Sequence, residues 1–355
     1  MATKSFLFQM VHPAKYFFHR ETINALISEG HHVDIIVQNK DVLLDLVTKE
    51  KWNFYNLFPN GRKIKWLPKK ISYVVAFLLS FLVMLSFARK KKYDLFVGGE
   101  LGTIGKFRDT TSLYVTDDDM VNTPQQHQAC FFVDYILAPE LCDMKQYNHK
   151  KIGYNGFKAL CHLHPSYFSP DKNKLDPKLK NKRFFLIRTC SHNSTHDIIG
   201  TKGIDNKTLY LITNKLSQYG EIVLAPERKL PEYFSKYYEV KDKESIHHYM
   251  YYADIFIGDS VTMGVESALL GTISVEYDSW WYKFDQTEDL VLKYNLLYGI
   301  KEGNYLGLLN KLDNILDNFN NLAEISKTNS KKLIDEKDNV TEIQIDLIKK
   351  LSGIT

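Results

Sequence analysis

Several things are scarce in this 355-residue sequence, and each scarcity excludes something. It has four scattered cysteines, Cys130, Cys142, Cys161 and Cys190, and no CxxC pair. Neither a structural zinc site nor a redox dithiol is therefore expected. The charge balance is 46 Lys and Arg against 42 Asp and Glu, a net of only +4. That is too little to imply a nucleic acid or another polyelectrolyte partner. The opening MATKSFLFQMVHP lacks the apolar run of a secretory signal, so a reduced, cytoplasmic setting is expected. The segment GGELGTIG at 98–105 lacks the Lys-Ser/Thr ending of a phosphate-binding P-loop. No short internal repeat is visible, and no Asp-x-Asp in a suitable strand context calls for a metal.

What is present reads as an ordinary globular chain, 44% hydrophobic and 25% charged, long enough for two domains. One segment stands out: KKISYVVAFLLSFLVMLSFARKKK at 69–92. Its uncharged core, Ile71 to Ala88, is near the lower limit of roughly 18 to 20 residues for spanning a bilayer. A strand-like YDLFVGG follows at once, and a true span would divide one sheet between two sides of a membrane. The segment is expected to be a helix within the fold, with one apolar face against a membrane whose anionic lipids attract the lysines. A transmembrane helix is the rival reading.

Along the chain, apolar runs rich in β-branched and aromatic residues alternate with stretches of helical periodicity. SFLFQMV, HHVDIIVQ, KIKWL, YDLFVGG, SLYVTDDD and DYILAPE read as strands in the first half. The helix beginning at HPAKYFF stops at Gly30, and another helix is expected near 41–49. Residues 164–181 hold three prolines and many polar residues, and mark a linker. After it RFFLIRT, EIVLAPE, DIFIG and TISVEY read as strands, TISVEY as the last of its sheet, and 305–351 as mostly helical. The expected architecture is α/β: two Rossmann-like, doubly wound domains facing a cleft. Residues 1–163 would form an acceptor-side domain and 182–355 a nucleotide-binding domain, its last helix packing back on the first. Ligands in such sheets bind at the carboxyl ends of strands.

The richest strand end is ADIFIGDSVTMGVESALLGT, from Ala253 to Thr272. A polar turn feeding a helix N-terminus presents unpaired N–H groups and the positive end of a dipole, which suit a diphosphate. Asp259, Ser260, Val261 and Thr262 form that turn, and Glu266 is placed to accept ribose hydroxyls. The same pattern is also that of an N-cap followed by a solvated glutamate. In FLIRTCSHNSTHD, Arg188 at a strand end suits a phosphate, and His192 or His196 follows in the loop; both histidines read equally as loop polarity. Glu227 and Arg228 in APERKLP, and His247 and His248 in HHYMYY, border the same face, although the histidines also read as surface residues.

On the first half, His12 directly follows the first strand and has a pKa suited to a general base. Glu100 stands at another strand end, and Asp117, Asp118 and Asp119 at a third, with His127 soon after. Such an acidic loop is as often a solvated helix start as a base and a sugar ligand. His19 lies within a helix and reads as structural. Trp280 and Trp281 suit sugar stacking and core packing equally.

These motifs carry two resemblances. GDSVTMGVE resembles the nucleotide-binding segment of the non-hydrolysing UDP-N-acetylglucosamine 2-epimerases, with matches at Asp259, Ser260 and Glu266. Val261 and Thr262 replace two glycines there, which bears on how closely a phosphate approaches. In those epimerases a histidine near His192 or His196 contacts the nucleotide phosphates. Over nearly the whole chain, the HP…FF turn, GHHV, TDDD, YNGFK, IRTCSHNSTHD and GDSVTMGVESALLGT resemble an uncharacterised, mainly archaeal family with a glycosyltransferase-B-like fold. The resemblance implies a nucleotide-sugar donor, UDP-sugar favoured, no cofactor or metal, and a glycan or lipid-linked acceptor in surface polysaccharide or glycolipid assembly. Catalysis would draw on His12, Glu100, Asp117 and Asp119. A nucleotide-sugar 2-epimerase is the second reading, and a non-catalytic membrane-associated scaffold the third.

Overall fold

The structure, a computed structural model, describes residues 2–38, 43–59, 69–117, 119–120, 127–190, 203–279, 281–283 and 285–354. The chain divides into two compact units, residues 1–162 together with 338–355, and residues 163–337. The proline-rich stretch 164–181 falls inside the second unit.

The first unit alternates strand and helix: β1 (Ser5–Met10), α1 (Pro13–Ser28), β2 (His32–Gln38), α2 (Leu43–Lys49), β3 (Asn53–Phe58), α3 (Lys69–Ala88), β4 (Leu95–Val97), α4 (Gly99–Arg108), β5 (Ser112–Val115), α5 (His127–Phe132), β6 (Tyr135–Pro139) and β7 (Lys151–Tyr154), before a four-residue helix α6 (Leu160–Leu163). Its seven strands are ordered β3-β2-β1-β4-β5-β6-β7, and every pairing is parallel. Crossover helices cover such a sheet on both faces, so its strands read as unbroken apolar runs. In β1, Phe6, Leu7, Phe8 and Met10 are all fully buried. Leu7 joins Ile36, Phe96, Met84, Leu85, Leu101 and Ile104 in one core, to which α3 contributes its inner face. KIKWL lies outside the described residues; the strand preceding α3 is β3, whose mixed NFYNLF pattern hides it.

The second unit repeats the grammar: β8 (Phe184–Thr189), α7 (Asn206–Leu216), β9 (Glu221–Pro226), β10 (Tyr238–Glu239), α8 (Ile246–Tyr252), β11 (Ile255–Gly258), α9 (Val261–Leu269), β12 (Ile273–Asp278), α10 (Asp285–Leu292), β13 (Leu297–Lys301), α11 (Tyr305–Asp317) and α12 (Phe319–Glu336). Its sheet is ordered β10-β9-β8-β11-β12-β13, again all parallel. TISVEY is therefore not the last strand: β12 pairs with β13 on its outer side, and all six of its residues are buried. The period of two along β8 sorts its residues between two cores. Phe185 and Ile187 pack with Leu209, Ile212, Leu308 and Leu312, and Phe184 and Leu186 pack with Tyr249, Met250 and Phe256.

The last helix, α13 (Val340–Leu351), belongs to the first unit. There Gln344 Oε1 lies 2.8 Å from Nδ1 of His19 on α1, and the Thr341 hydroxyl donates to the Cys161 carbonyl at 2.8 Å. His19 is a buried core residue, and burial drives its imidazole down to about 3, so it is neutral at any ordinary pH. Among the described residues no helix is long and apolar enough to cross a membrane.

Candidate functional site: the strand ends of the two sheets

In each sheet the strand order reverses once, between β1 and β4 and between β8 and β11. At such a switch point neighbouring crossovers lie on opposite faces, and the strand ends part to leave a crevice. The sequence motifs fall there. His12 follows β1, Gly98 to Glu100 follow β4, Cys190 follows β8, and Asp259 and Ser260 follow β11.

In the second unit Ser260 is the N-cap of α9, with an extended backbone (φ −130°, ψ 102°) and no capping hydrogen bond from its side chain. Its carbonyl accepts from the Gly264 N–H at 2.9 Å. The N–H groups ahead of Gly264 thus face the switch point, together with the positive end of the helix dipole. Ser260 and Val261 are half-buried and Thr262 is exposed.

Asp259 has another task. Its Oδ1 accepts from the Cys190 N–H and its Oδ2 from the Ile204 N–H, both at 2.8 Å. It therefore pins both ends of the stretch from 190 to 204. His192 and His196 fall in that stretch, outside the described residues. Asp259 is buried, so these two bonds form in a low dielectric, where they are strong. Beside it the Cys190 thiol is pushed far up, first by burial and then by the Asp259 charge, and it is no nucleophile.

Arg188 is tied on three sides. Its guanidinium donates to the Ala225 carbonyl at 2.7 Å, meets Met263 Sδ of α9 at 2.9 Å, and pairs with Glu227. Glu227 thus acts through Arg188. Arg228 donates to the Ile204 carbonyl at 2.9 Å, next to the Asp259 clip.

Glu266 is not a solvated helix residue. It is buried, and its Oε2 lies 3.2 Å from Nε2 of His247 on α8. His247 is itself buried, with Phe168 edge-on at 6.3 Å. Its neighbour His248 accepts from the Asp171 N–H at 3.1 Å, and burial lowers its pKa. A buried carboxylate needs a partner, and α8 places the His247 imidazole opposite this one.

Glu276 is a residue the sequence reading passed over. It stands in β12 level with Gly258 of β11 and is fully buried, with the Asp278 side chain beside its carboxyl. Burial raises its pKa well above the usual carboxyl range, and the charges of Asp278 and Asp259 push it further the same way. It packs under α9, where a Cβ on Gly264 would collide with Oε2. The signal was a glutamate inside an otherwise apolar run, ISVEYD, two residues before another acid.

In the first unit His12 is exposed and serves as N-cap of α1, its Nδ1 accepting from the Ala14 N–H at 3.2 Å. Gln9 and Glu100 interlock: the Gln9 amide donates to Glu100 Oε2 at 2.7 Å, and the Glu100 N–H donates back at 3.2 Å. Gly98 makes room for this pair, since it sits at φ 151° and any Cβ there would strike Gln9. Asp117 pairs with Lys158 at 2.6 Å. Asp119 accepts from the Asp143 N–H at 2.6 Å, tying its loop to the one after β6. Asp118 and Trp280 lie outside the described residues. His127 lies 3.3 Å from the Gln146 amide. Trp281 packs edge-on to Tyr282, and a Cβ on Gly299 would run into its ring, so it covers the sheet edge at β13.

The family described as a protein of unknown function (DUF354) matches residues 100–350. The chain belongs to that family. No curated protein matches it. Among solved structures, this DUF354 chain is similar to the Staphylococcus aureus MnaA–UDP co-structure, at TM-score 0.71 and 13% identity over 99% of this chain and 98% of that one. It is likewise similar to the UDP-GlcNAc 2-epimerase of Neisseria meningitidis bound to UDP-GlcNAc, at TM-score 0.67 and 11% identity, covering 98% and 100%. Acinetobacter baumannii MurG matches at TM-score 0.60 and 13% identity, covering 98% and 99%. The fold of this DUF354 member is therefore of the glycosyltransferase-B type.

Proposed function

We propose that this DUF354 protein is a glycosyltransferase that takes a nucleotide-sugar donor, a UDP-sugar in the first instance, and serves surface polysaccharide or glycolipid assembly in the cytoplasm. The observation that carries the reading is the pairing of the α9 N-terminus at a switch point with a buried Glu266 fixed by His247. The N–H groups after Ser260, with its hydroxyl and that of Thr262, would hold the diphosphate. Glu266 would accept the ribose hydroxyls. Arg188, steadied by Glu227, adds positive charge on the same face.

In transfer, the bond from the anomeric carbon to the diphosphate breaks, and the leaving group gains charge. Fixed donors aimed at that charge lower the barrier more than flexible ones, because they need no reorganisation. The acceptor hydroxyl must lose a proton. His12, exposed at the end of β1, is proposed to take it, with Glu100 held by Gln9 beside the switch point of that sheet. Asp117 and Asp119, engaged with Lys158 and the Asp143 N–H, are proposed to shape their loop. His192 and His196 are kept as proposed phosphate contacts. The acceptor is proposed to be a glycan or a lipid-linked sugar, and no cofactor is invoked.

A 2-epimerase is the second reading, supported by the fold shared with the UDP-GlcNAc 2-epimerase of Neisseria meningitidis. Incubation of the purified protein with UDP-sugars, with and without a lipid-linked acceptor, separates the two. Acceptor-dependent release of UDP supports the transferase. An epimer formed without acceptor supports the epimerase, and no turnover or nucleotide binding of any kind supports the scaffold.

A further inference from the structure

Helix α3 is apolar all round, as a helix buried on every side is. Yet it is not buried on every side. Met84, Leu85 and Ala88 enter the core, whereas Leu78, Leu79, Leu82 and Val83 are 54%, 51%, 58% and 41% exposed. At 100° per residue these four, with Ser86, lie on one face, and Arg89 and Lys90 continue it past the C-terminus. Arg89, Lys90, Lys91 and Lys92 are all exposed. Of these, Lys91 bonds Asp34 at 2.8 Å. Beside the helix, Phe107 of α4 stands 65% exposed with its ring against Phe81, at 5.3 Å between centroids.

We propose that this face is a docking surface for an anionic phospholipid bilayer, with Leu78, Leu79, Leu82, Val83 and Phe107 entering the headgroup–acyl boundary and Arg89, Lys90 and Lys92 lying on the phosphates. The charge pattern decides the occupant. A basic cluster directly at the end of a contiguous aliphatic face complements a surface that is apolar below and negative above. Leu78, Leu79, Leu82, Val83 and Phe107 offer no hydrogen bonds of the kind that select a folded partner. The helix lies on the membrane and does not cross it. This inference does not rest on the nucleotide reading, and its test uses no donor.

The experiment is vesicle flotation of the full chain with phosphatidylcholine vesicles, with and without 30% phosphatidylglycerol. Alongside go L78E/L82E and R89Q/K90Q/K92Q, with thermal melts on each to show that the variants fold. The expected result is binding to the anionic vesicles that weakens in high salt and is weak on neutral ones. Loss of each cation should cost about fivefold in partitioning, and L78E/L82E should abolish it. No uptake by anionic vesicles, equal uptake by neutral ones, or uptake unchanged in L78E/L82E would overturn the proposal. So would a dimer that L78E/L82E dissociates and that ignores vesicles, since the face would then belong to a second copy of the chain.

Discussion

The two sheets have the same doubly wound logic and use their strand ends differently. After β11 the chain enters a nine-residue helix whose cap residue leaves its side chain out of the capping, with a buried Glu266–His247 pair behind it. After β4 and β5 the acids are already engaged, Glu100 by Gln9, Asp117 by Lys158 and Asp119 by a backbone N–H. The same residue class thus stands buried against a histidine behind a helix N-terminus in one unit, and holds loops at Asp259 there and at Asp119 in the other. The difference lies in what each acid meets, not in its position at a strand end.

The contrast can be broken most severely at Asp259. Asp259→Ala leaves the half-buried Cys190 and the buried Ile204 N–H groups without their acceptor, at about 1–3 kcal/mol for the buried one and less for the other. Chemical denaturation should show that loss, and limited proteolysis should cut between 190 and 204. Gly264→Ala comes next. Its methyl group would press on Glu276 in a full core, an overpacking worth about 1–3 kcal/mol in the same assay.

Glu276 sharpens the comparison through pH. Its folded pKa lies above the usual 4.5, so below that value the group is protonated in both states and costs nothing. As pH rises past 4.5 the unfolded chain ionises first, and stability falls until the folded pKa is passed. The slope is about 1.4 kcal/mol per pH unit within that window. Glu276→Gln should remove this component, leaving the melting temperature higher at pH 7 and its fall above pH 4.5 shallower. An unchanged profile would show that the carboxyl is not held protonated. The smallest effect is expected at Asp117→Asn. Its ion pair with Lys158 is only partly buried, and losing it should change stability by no more than about 1 kcal/mol and leave nucleotide binding intact.

The sequence discloses much of this fold and less of the site. β1, β2, β8 and β11 are legible because a parallel strand buried on both faces is a near-continuous apolar run. β3 and β13 are not, since both are outer strands with only partial burial and a mixed pattern. In the site, the turn at Asp259–Thr262 is legible as strand, polar turn and helix. The His247–Glu266 pair is not, because its two residues sit 19 positions apart on different helices and only the packing of α8 against α9 joins them. Glu276 escapes for a related reason: its character comes first from burial and then from the charges of Asp278 beside it and of Asp259, which the fold brings near.

The nucleotide site proposed at the α9 N-terminus and Glu266 is open to a direct test. The measurement is isothermal titration of UDP, GDP, CDP and ADP into the wild type and Glu266→Ala, with matched melting curves. One nucleotide, UDP first, is expected to bind the wild type and to lose about tenfold or more in affinity in the variant, as removal of a charged hydrogen-bond acceptor requires. Binding untouched by Glu266→Ala, or no binding of any nucleoside diphosphate to the wild type, would contradict it.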